Sequence, residues 1–383
     1  MDFGFSEEQE MLRDAAKRFL ADNCPPKFVR QMMADPTAHD AAFWKKLVEL
    51  GWPGLLIPES YGGQGGSFLD MTVIVEEAGK VLVPGPLFTS AMLAAPLLIE
   101  GGSDEQKKDL LPRMAKGEFI GTVAIAEASG RFDAEGVQLK AAKSGKEYTI
   151  TGEKFFVPDA HVANGIAVAV RTGGSGEKGI TILAVPTTAK GLTITQLKTV
   201  DMTRRLCHVK FDNVKTSELI GKEGEGWPIL RRTLDIATAG LAAEMVGTAQ
   251  RALDMSVEYA KTRVQFGKPI GSFQAVKHKC VDMMRGRERA LPDLLRVLDR
   301  RYQRRRGGER GADGESVRIR HGEERHLGGN PGARRHRLHL GARHAPVSSA
   351  RTGRRSEFRQ RPGASRDRGE VPVGLIATSW IDR

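Results

Sequence analysis

The spacing of apolar residues along this chain changes twice, and each change marks a domain boundary. Residues 1–118 repeat their apolar side chains at the three-to-four spacing of amphipathic helices. From 119 to 223, apolar and polar residues alternate, which is the two-residue period of β-strands. Helical spacing then returns over 224–284. The sequence therefore predicts an α+β protein with a helical domain, a β domain and the beginning of a second helical domain.

The first domain contains clear helix start signals. Ser6 precedes an apolar stripe and is followed three residues later by Gln9, which is the pattern of a capping box. Ser103 begins another such helix, with acidic residues in its first turn. The predicted helices span 6–22, 40–50, 70–82, 86–100 and 103–116.

The middle domain consists of short alternating or β-branched runs separated by turns at 143–146 and 173–176. The runs read GTVAIAE, VQLKAA, EYTITG, FFVP, GIAVAVR, ITILAVP, LTITQL and CHVKFD. Short strands at this spacing are typical of a small antiparallel β-barrel or sandwich.

The positive charge of the chain is confined to its last part. Residues 1–284 carry 34 Lys and Arg against 35 Asp and Glu, whereas 285–383 carry 25 against 12. All 25 of those cations are Arg, while the first part has 12 Arg and 22 Lys. The net charge of +12 therefore does not indicate a nucleic-acid-binding surface on the folded domains. Residues 285–383 are expected to be a disordered basic tail or an out-of-frame translation.

The cysteine spacing and the first residues of the chain indicate the cellular compartment that is expected. Cys24, Cys207 and Cys280 lie far apart, which predicts reduced thiols and neither a disulfide framework nor a metal site. The opening MDFGFSEEQE is acidic where a signal peptide would be basic, and no apolar run approaches membrane-spanning length. We therefore expect a cytoplasmic protein that has no membrane partner.

Residues 259–278 read YAKTRVQFGKPIGSFQAVKH and predict a helix, a turn at 267–269 and a second helix. An arginine beside such a turn could hold a pyrophosphate, because its guanidinium donates two hydrogen bonds and a helix start adds free N–H groups. The same residues would also fit an ordinary helical hairpin in which Arg263 is solvated. We call this segment the corner.

The corner resembles the signature of the acyl-CoA dehydrogenases, flavoproteins that desaturate acyl-CoA thioesters between Cα and Cβ. The resemblance covers 5–284 continuously, in the same order of domains, and implies FAD as cofactor, an acyl-CoA substrate and an acceptor like electron-transfer flavoprotein. It also implies a homo- or hetero-oligomer, since the corner holds the FAD of the neighbouring subunit. The cofactor-binding residues that it implies here are Arg263, Gln265, Phe266, Phe273 and Gln274.

The middle domain departs from the family in its two flavin-contacting motifs. Where the family has Thr-Glu-Pro, this chain has Ala126-Glu127-Ala128, and where the family has Trp-Ile-Thr it has Phe156-Val157-Pro158. Both threonine hydroxyls are absent, and proline has no N–H to replace them. Phe156 is therefore expected to be an aromatic wall for the flavin or a plain core residue.

The catalytic base is not identified by the sequence. Most family members place a Glu beyond a later Gly-Gly motif, whereas branched-chain members place it on the helix before the corner, where this chain has Ala237. Asp235 and Glu244 lie on that helix but are more typical of solvated or capping charges. His208 and His278 are expected to have structural roles. The chain is predicted to be a catalytic dehydrogenase, a non-catalytic subunit of a heteromeric one, or an inactive relic.

The tail can be interpreted as a shifted reading of family sequence. Codons permitted for residues 329–344, read one base later, can encode Gly-Ile-Gln-Val-His-Gly-Gly-Ile-Gly-Phe-Thr-Trp-Glu-His-Asp. This string contains the family's Gln-x-x-Gly-Gly-x-Gly-Phe motif. We therefore predict that the reading frame changes near Met284.

Overall fold

The structure is a computed structural model that describes residues 6–287. In this part of the chain the predicted order of helical, β and helical domains is confirmed. Nearly all of the Arg-rich tail lies outside the described residues, and the structure does not test the predicted frame change near residue 284, so these two interpretations stay predictions.

The first domain is helical throughout its described part. Ser6 and Ser103 both form the predicted capping boxes, with Gln9 and Gln106 respectively. Asp40 caps a third helix by accepting a hydrogen bond from Phe43 N–H. The helices are α1 Glu7–Asn23, α2 Pro26–Ala34, α3 Ala41–Glu49, α4 Phe68–Val81, α5 Ala95–Gly101 and α6 Asp104–Ala115.

Two local features of this domain differ from the prediction. The sequence analysis did not predict α2, which begins at Pro26, and proline is well tolerated at the first position of a helix. The helix predicted over 86–100 begins instead with a π-helical segment, Thr89–Ala94, which continues into α5. Such π-helical turns are uncommon and occur often beside functional sites.

The middle domain contains two four-stranded sheets, in the orders β1-β4-β5-β8 and β2-β3-β7-β6. The strands are β1 Gly121–Ala124, β2 Ala141–Ser144, β3 Glu147–Pro158, β4 Gly165–Arg171, β5 Ile180–Pro186, β6 Leu192–Gln196, β7 Leu206–Thr216 and β8 Leu219–Ile220. The runs EYTITG and FFVP, predicted as separate strands, form the single strand β3.

One strand pair corrects the expectation of an all-antiparallel domain, because β1 pairs with β4 in parallel. After β1 the chain crosses to the other sheet, forms β2 and β3, and returns to the edge of β1 in the same direction. Parallel neighbours require a long connection of this kind. The middle domain is therefore a sandwich of two sheets with one parallel pair, and its core contains Ile150, Val168 and Phe211.

The helix α7, Gly226–Thr262, leads from the middle domain to the corner. It packs along α4 at very short range, because Gly79 of α4 faces the backbone of Glu244 and Gly247 of α7 faces the backbone of Glu76. The two glycines permit this contact, since a Cβ at either position would overlap a carbonyl oxygen of the other helix.

After α7 the chain forms a two-stranded hairpin, β9 Val264–Gln265 with β10 Lys268–Pro269. A 3-10 turn over Ile270–Ser272 follows, and a further helix occupies 274–287. The predicted helix, turn and helix are thus present, with a small hairpin as the turn. None of the helices within 6–287 is long and apolar enough to cross a membrane.

Candidate functional site

The corner is tied to the end of α7 by backbone hydrogen bonds. Arg263 N–H donates to the Tyr259 carbonyl oxygen, and Ile270 N–H donates to the Arg263 carbonyl oxygen, both over 2.8 Å. Between these bonds, Gln265 pairs with Lys268 in the hairpin. The backbone of the corner is therefore fixed on both sides of Arg263.

The side chains of the corner are directed away from the rest of the described chain. Arg263, Gln265 and Gln274 are exposed, and none has a side-chain hydrogen bond or ion pair to another residue within 6–287. One guanidinium and two amides are therefore free to bind a ligand. Donors of this kind suit phosphate and other polar groups of a dinucleotide.

Phe266 is the most conspicuous residue of the corner. Its ring is 90% exposed, and its backbone has a φ of 54°, in the left-handed region that aromatic residues rarely adopt. The Phe273 ring meets it edge-on at 6.1 Å, and Lys268 Nζ lies 4.7 Å from the centre of the Phe273 ring. An exposed aromatic ring on strained backbone is costly for an isolated chain.

Phe156, the remaining sequence-predicted site residue, lies in the middle domain. It is half-buried, has a φ of 56°, and lies at a bulge where the register between β3 and β7 shifts. Its neighbour Phe155 stacks on His208, with ring centres 4.3 Å apart. Within 6–287, no hydrogen bond or ring contact joins Phe156 to the corner, so one chain presents the predicted residues as two separate groups.

Positions 126 and 158 provide no side-chain donor to this region. Ala126 is fully buried, and its carbonyl oxygen accepts a hydrogen bond from Phe155 N–H at 2.9 Å. The carbonyl oxygen of Pro158 accepts from Thr122 Oγ1 at 2.6 Å. The carbonyl oxygens of Ala126 and Pro158 are therefore already engaged within the protein.

One of the two acidic candidates on α7, Glu244, is committed to an ion pair. Glu244 makes a two-pronged ion pair with Arg204, with Nη1–Oε2 and Nη2–Oε1 distances of 3.1 and 2.5 Å. Burial alone would lower the pKa of Arg204, but the adjacent carboxylate of Glu244 raises it. Ala237 is buried and carries no carboxylate. Asp235 lies on the same helix, two positions before Ala237.

The sequence analysis did not predict the buried charged residues, which include Asp159 and Lys154 in the middle domain and Glu76 and Glu77 on α4. Asp159 accepts a 2.5 Å hydrogen bond from Thr89 Oγ1 in the π-helical segment, and burial raises the pKa of its carboxyl group. Lys154 is completely buried. The signal for Lys154 was present, because it lies an even number of residues from Tyr148 and Ile150 and therefore points inward from β3.

A depression of about 480 Å³ lies beside β3 in the middle domain. Acidic side chains and one aromatic ring predominate in its lining, and Arg131 there is already paired with Asp133 and Glu135. It is lined by Glu127, Ala128, Ser129, Arg131, Glu135, Gly136, Gln138, Glu153 and Phe155. No group of three or more metal-ligating side chains is present in the described part of the chain.

Comparison with known protein families gives matches to three successive domains. Residues 6–118 match "Acyl-CoA dehydrogenase, N-terminal domain", 122–214 match the middle domain, and 224–312 match the C-terminal domain. The third match continues past Met284, the position near which the frame change is predicted.

Individual relatives give the same result. A probable acyl-CoA dehydrogenase of Bacillus subtilis is 36% identical over 293 residues, which cover 74% of this chain and 76% of that protein. The solved butyryl-CoA dehydrogenase of Megasphaera elsdenii superposes with a TM-score of 0.72 at 29% identity, covering 79% of this chain and 82% of that one. A solved steroid ACAD superposes with a TM-score of 0.70 at 28% identity, covering 78% of each chain.

Proposed function

Because this chain belongs to the acyl-CoA dehydrogenase family, whose members are FAD-dependent oxidoreductases, we propose that it takes part in the α,β-desaturation of an acyl-CoA thioester. In this reaction a base removes a proton from Cα while a hydride leaves Cβ. FAD, when bound, would supply the hydride acceptor. The protein must therefore orient the thioester, hold the dinucleotide and exclude water.

The observation that carries the proposal is the set of unpartnered donors at the corner. Arg263 would hold a negatively charged part of FAD, and the amides of Gln265 and Gln274 would bind its polar groups. The rings of Phe266 and Phe273 offer an apolar surface beside these donors. The residues of the corner thus fit a phosphate-bearing cofactor with a planar ring system.

The separation of the corner from Phe156 supports an assembly of two subunits. One chain would provide the Phe156 wall, and a second chain would contribute its corner with the exposed Phe266. We propose a homo- or hetero-oligomer on this ground. We also propose an acceptor of the electron-transfer flavoprotein type as a partner of this assembly.

The middle domain fits the cofactor less completely than the corner does. Ala126 and Pro158 offer no hydroxyl group, and their carbonyl oxygens are engaged by Phe155 N–H and Thr122 Oγ1. The contribution of this domain would therefore be the ring of Phe156 and the shape of the surrounding backbone.

A second candidate function is favoured by the state of α7. Ala237 cannot accept a proton, and Glu244 is committed to Arg204. The chain would then be the subunit of a heteromeric dehydrogenase that holds cofactor and partner while another subunit supplies the base.

Anaerobic flavin spectroscopy separates these candidates. The full chain would be purified alone and together with its co-expressed partner candidates, and then mixed with short, medium and steroid CoA thioesters. Bleaching of the flavin absorbance by the chain alone supports the catalytic function, and bleaching only in a complex supports the second candidate. Absence of flavin from every preparation would overturn both.

A further inference from the structure

Lys154 is a fully buried lysine in the core of the middle domain, with a side-chain exposure of 0%. Its ammonium donates to the Ile125 carbonyl oxygen and to Glu127 Oε1, each over 2.8 Å. Burial lowers the pKa of Lys154 to about 8, while Glu127 opposes this change. A buried ion pair is expensive compared with apolar side chains of similar size, so stability alone does not account for it.

The contacts of Lys154 belong to a set that fixes three successive residues. Ile125 and Glu127 are held by Lys154 itself, and between them the Ala126 carbonyl oxygen accepts from Phe155 N–H. Residues 125–127 are therefore held by hydrogen bonds to two adjacent residues of β3, Lys154 and Phe155.

Glu127 also accepts hydrogen bonds from the far end of the loop 127–139. Its Oε1 also accepts hydrogen bonds from the backbone N–H groups of Gln138 and Leu139, both at 2.8 Å. Three donors thus converge on one carboxylate oxygen, which joins the two ends of the loop 127–139, while Arg171 holds the same loop through the Ala134 and Val137 carbonyl oxygens. This loop forms much of the lining of the 480 Å³ depression.

On β3, Lys154 lies next to the bulge that contains Phe156. The register of β3 against β7 shifts between Ile150 and Gly152 and again between Lys154 and Val157, so the second bulge begins directly after the buried lysine. Within it Phe156 takes its left-handed backbone conformation. Ala126 and Phe156 lie on the two sides of the proposed flavin site in the middle domain. Lys154 therefore lies between these two sides.

We infer that Lys154 is a positioning residue, which holds the 125–139 segment in register with the Phe156 bulge so that the middle domain can receive the flavin. This inference rests on the proposed flavin site. Lys154 does not contact the cofactor itself, because its ammonium is enclosed by Ile125 and Glu127. It acts through the backbone that those contacts fix.

A purely structural role would have different consequences. Replacing a buried ion pair by an apolar side chain is often neutral or stabilising, provided that the partner is not left charged and alone. The double variant Lys154→Met with Glu127→Gln meets this condition, since Gln can still accept from the 138 and 139 amides. A structural role predicts that this variant folds and binds flavin as the parent does, whereas a positioning role predicts that it folds but binds flavin poorly.

The test uses the full chain and three variants. They are Lys154→Met, the double variant with Glu127→Gln, and Lys215→Met as a matched control, because Lys215 is an exposed lysine of the same domain paired with Glu147. Each protein is measured for FAD dissociation constant by flavin fluorescence, for the visible circular dichroism of bound flavin, and for hydrogen exchange of the 138 and 139 amides.

We expect both Lys154 variants to raise the FAD dissociation constant about tenfold or more, because the 125–139 backbone would no longer be held in the geometry that receives the flavin. Their flavin dichroism should change, and their 138 and 139 amides should exchange faster, while Lys215→Met matches the parent. An unchanged dissociation constant and dichroism would overturn the inference. If the parent binds no FAD, the proposed function fails. Hydrogen exchange then still decides whether Lys154 orders the loop, and unchanged exchange would contradict that role.

Discussion

Arg204 and Glu244 form a two-pronged ion pair that joins the middle domain to α7, with Nη1–Oε2 and Nη2–Oε1 distances of 3.1 and 2.5 Å. The side chains are only 20% and 15% exposed, and the guanidinium also lies 4.7 Å from the centre of the Phe88 ring. Residues from all three described parts of the fold therefore meet at Arg204. The pair holds the position of α7 and hence of the corner at its end.

Breaking this pair should destabilise the protein more than removing it completely. Arg204→Met or Glu244→Gln alone should each lower the unfolding free energy by about 3 kcal/mol, because each leaves its partner largely buried without a countercharge. The double variant should lose less than either single variant. Urea unfolding of the four proteins measures this coupling, and strictly additive losses would contradict it.

The arginine of the corner should affect flavin binding and little else. Arg263→Ala removes an exposed guanidinium that has no partner within 6–287, so the thermal midpoint should hardly change. FAD retention should fall about tenfold or more if the guanidinium makes a charge-assisted contact. Flavin content after dialysis is the measurement. Arg251→Ala, an exposed arginine of α7, is the matched control, and equal flavin loss in both variants would argue against a specific role.

The helix contact between α4 and α7 depends on two glycines. Gly247→Ala should lower stability by about 3 kcal/mol, since the added methyl group would overlap the Glu76 carbonyl oxygen and force the helices apart. Gly286→Ala provides the control, because a Cβ there meets no atom within 4 Å and alanine favours the helix. The thermal midpoint should therefore fall for the first variant and rise slightly for the second. A stable Gly247→Ala protein would mean that the two helices pack less closely.

Much of this fold could be predicted because it depends on interactions between residues close in sequence. The features that could not be predicted depend on pairing between distant residues. The capping boxes at Ser6 and Ser103 were predictable because each is complete within four residues. The left-handed conformation of Phe156 was not, because it results from the bulge in the pairing of β3 with β7. Nor was the Arg204–Glu244 pair, whose partners are 40 positions apart. The corner was predicted from its sequence motif, but only the structure shows that its side chains are exposed and that they lie apart from Phe156.

The frame prediction is tested by peptides. We expect gene sequencing and mass spectrometry of the natural protein to place a frame change between codons 280 and 290, because Lys disappears and Arg accumulates from residue 285 onward. The family match over 224–312 continues past this boundary in the written frame, which favours the written reading up to residue 312, so peptides from 285–312 decide between the two readings. Natural peptides that match RRYQRRRGGER would refute the prediction.

The buried lysine should give the protein a characteristic pH dependence. The pKa of Lys154 is about 8 in the folded protein, compared with 10.5 for an ordinary lysine. Between these values the unfolded chain holds a proton that the folded chain has released, so the unfolding free energy contributed by this residue increases as the pH rises. Below about pH 8 the cost of burying the charge is fully present. The unfolding free energy of the parent, measured from pH 7 to 10, should therefore rise relative to that of Lys154→Met. Lys215→Met should follow the parent, because its ammonium is exposed, and parallel curves for the parent and Lys154→Met would show that Lys154 keeps its ordinary pKa.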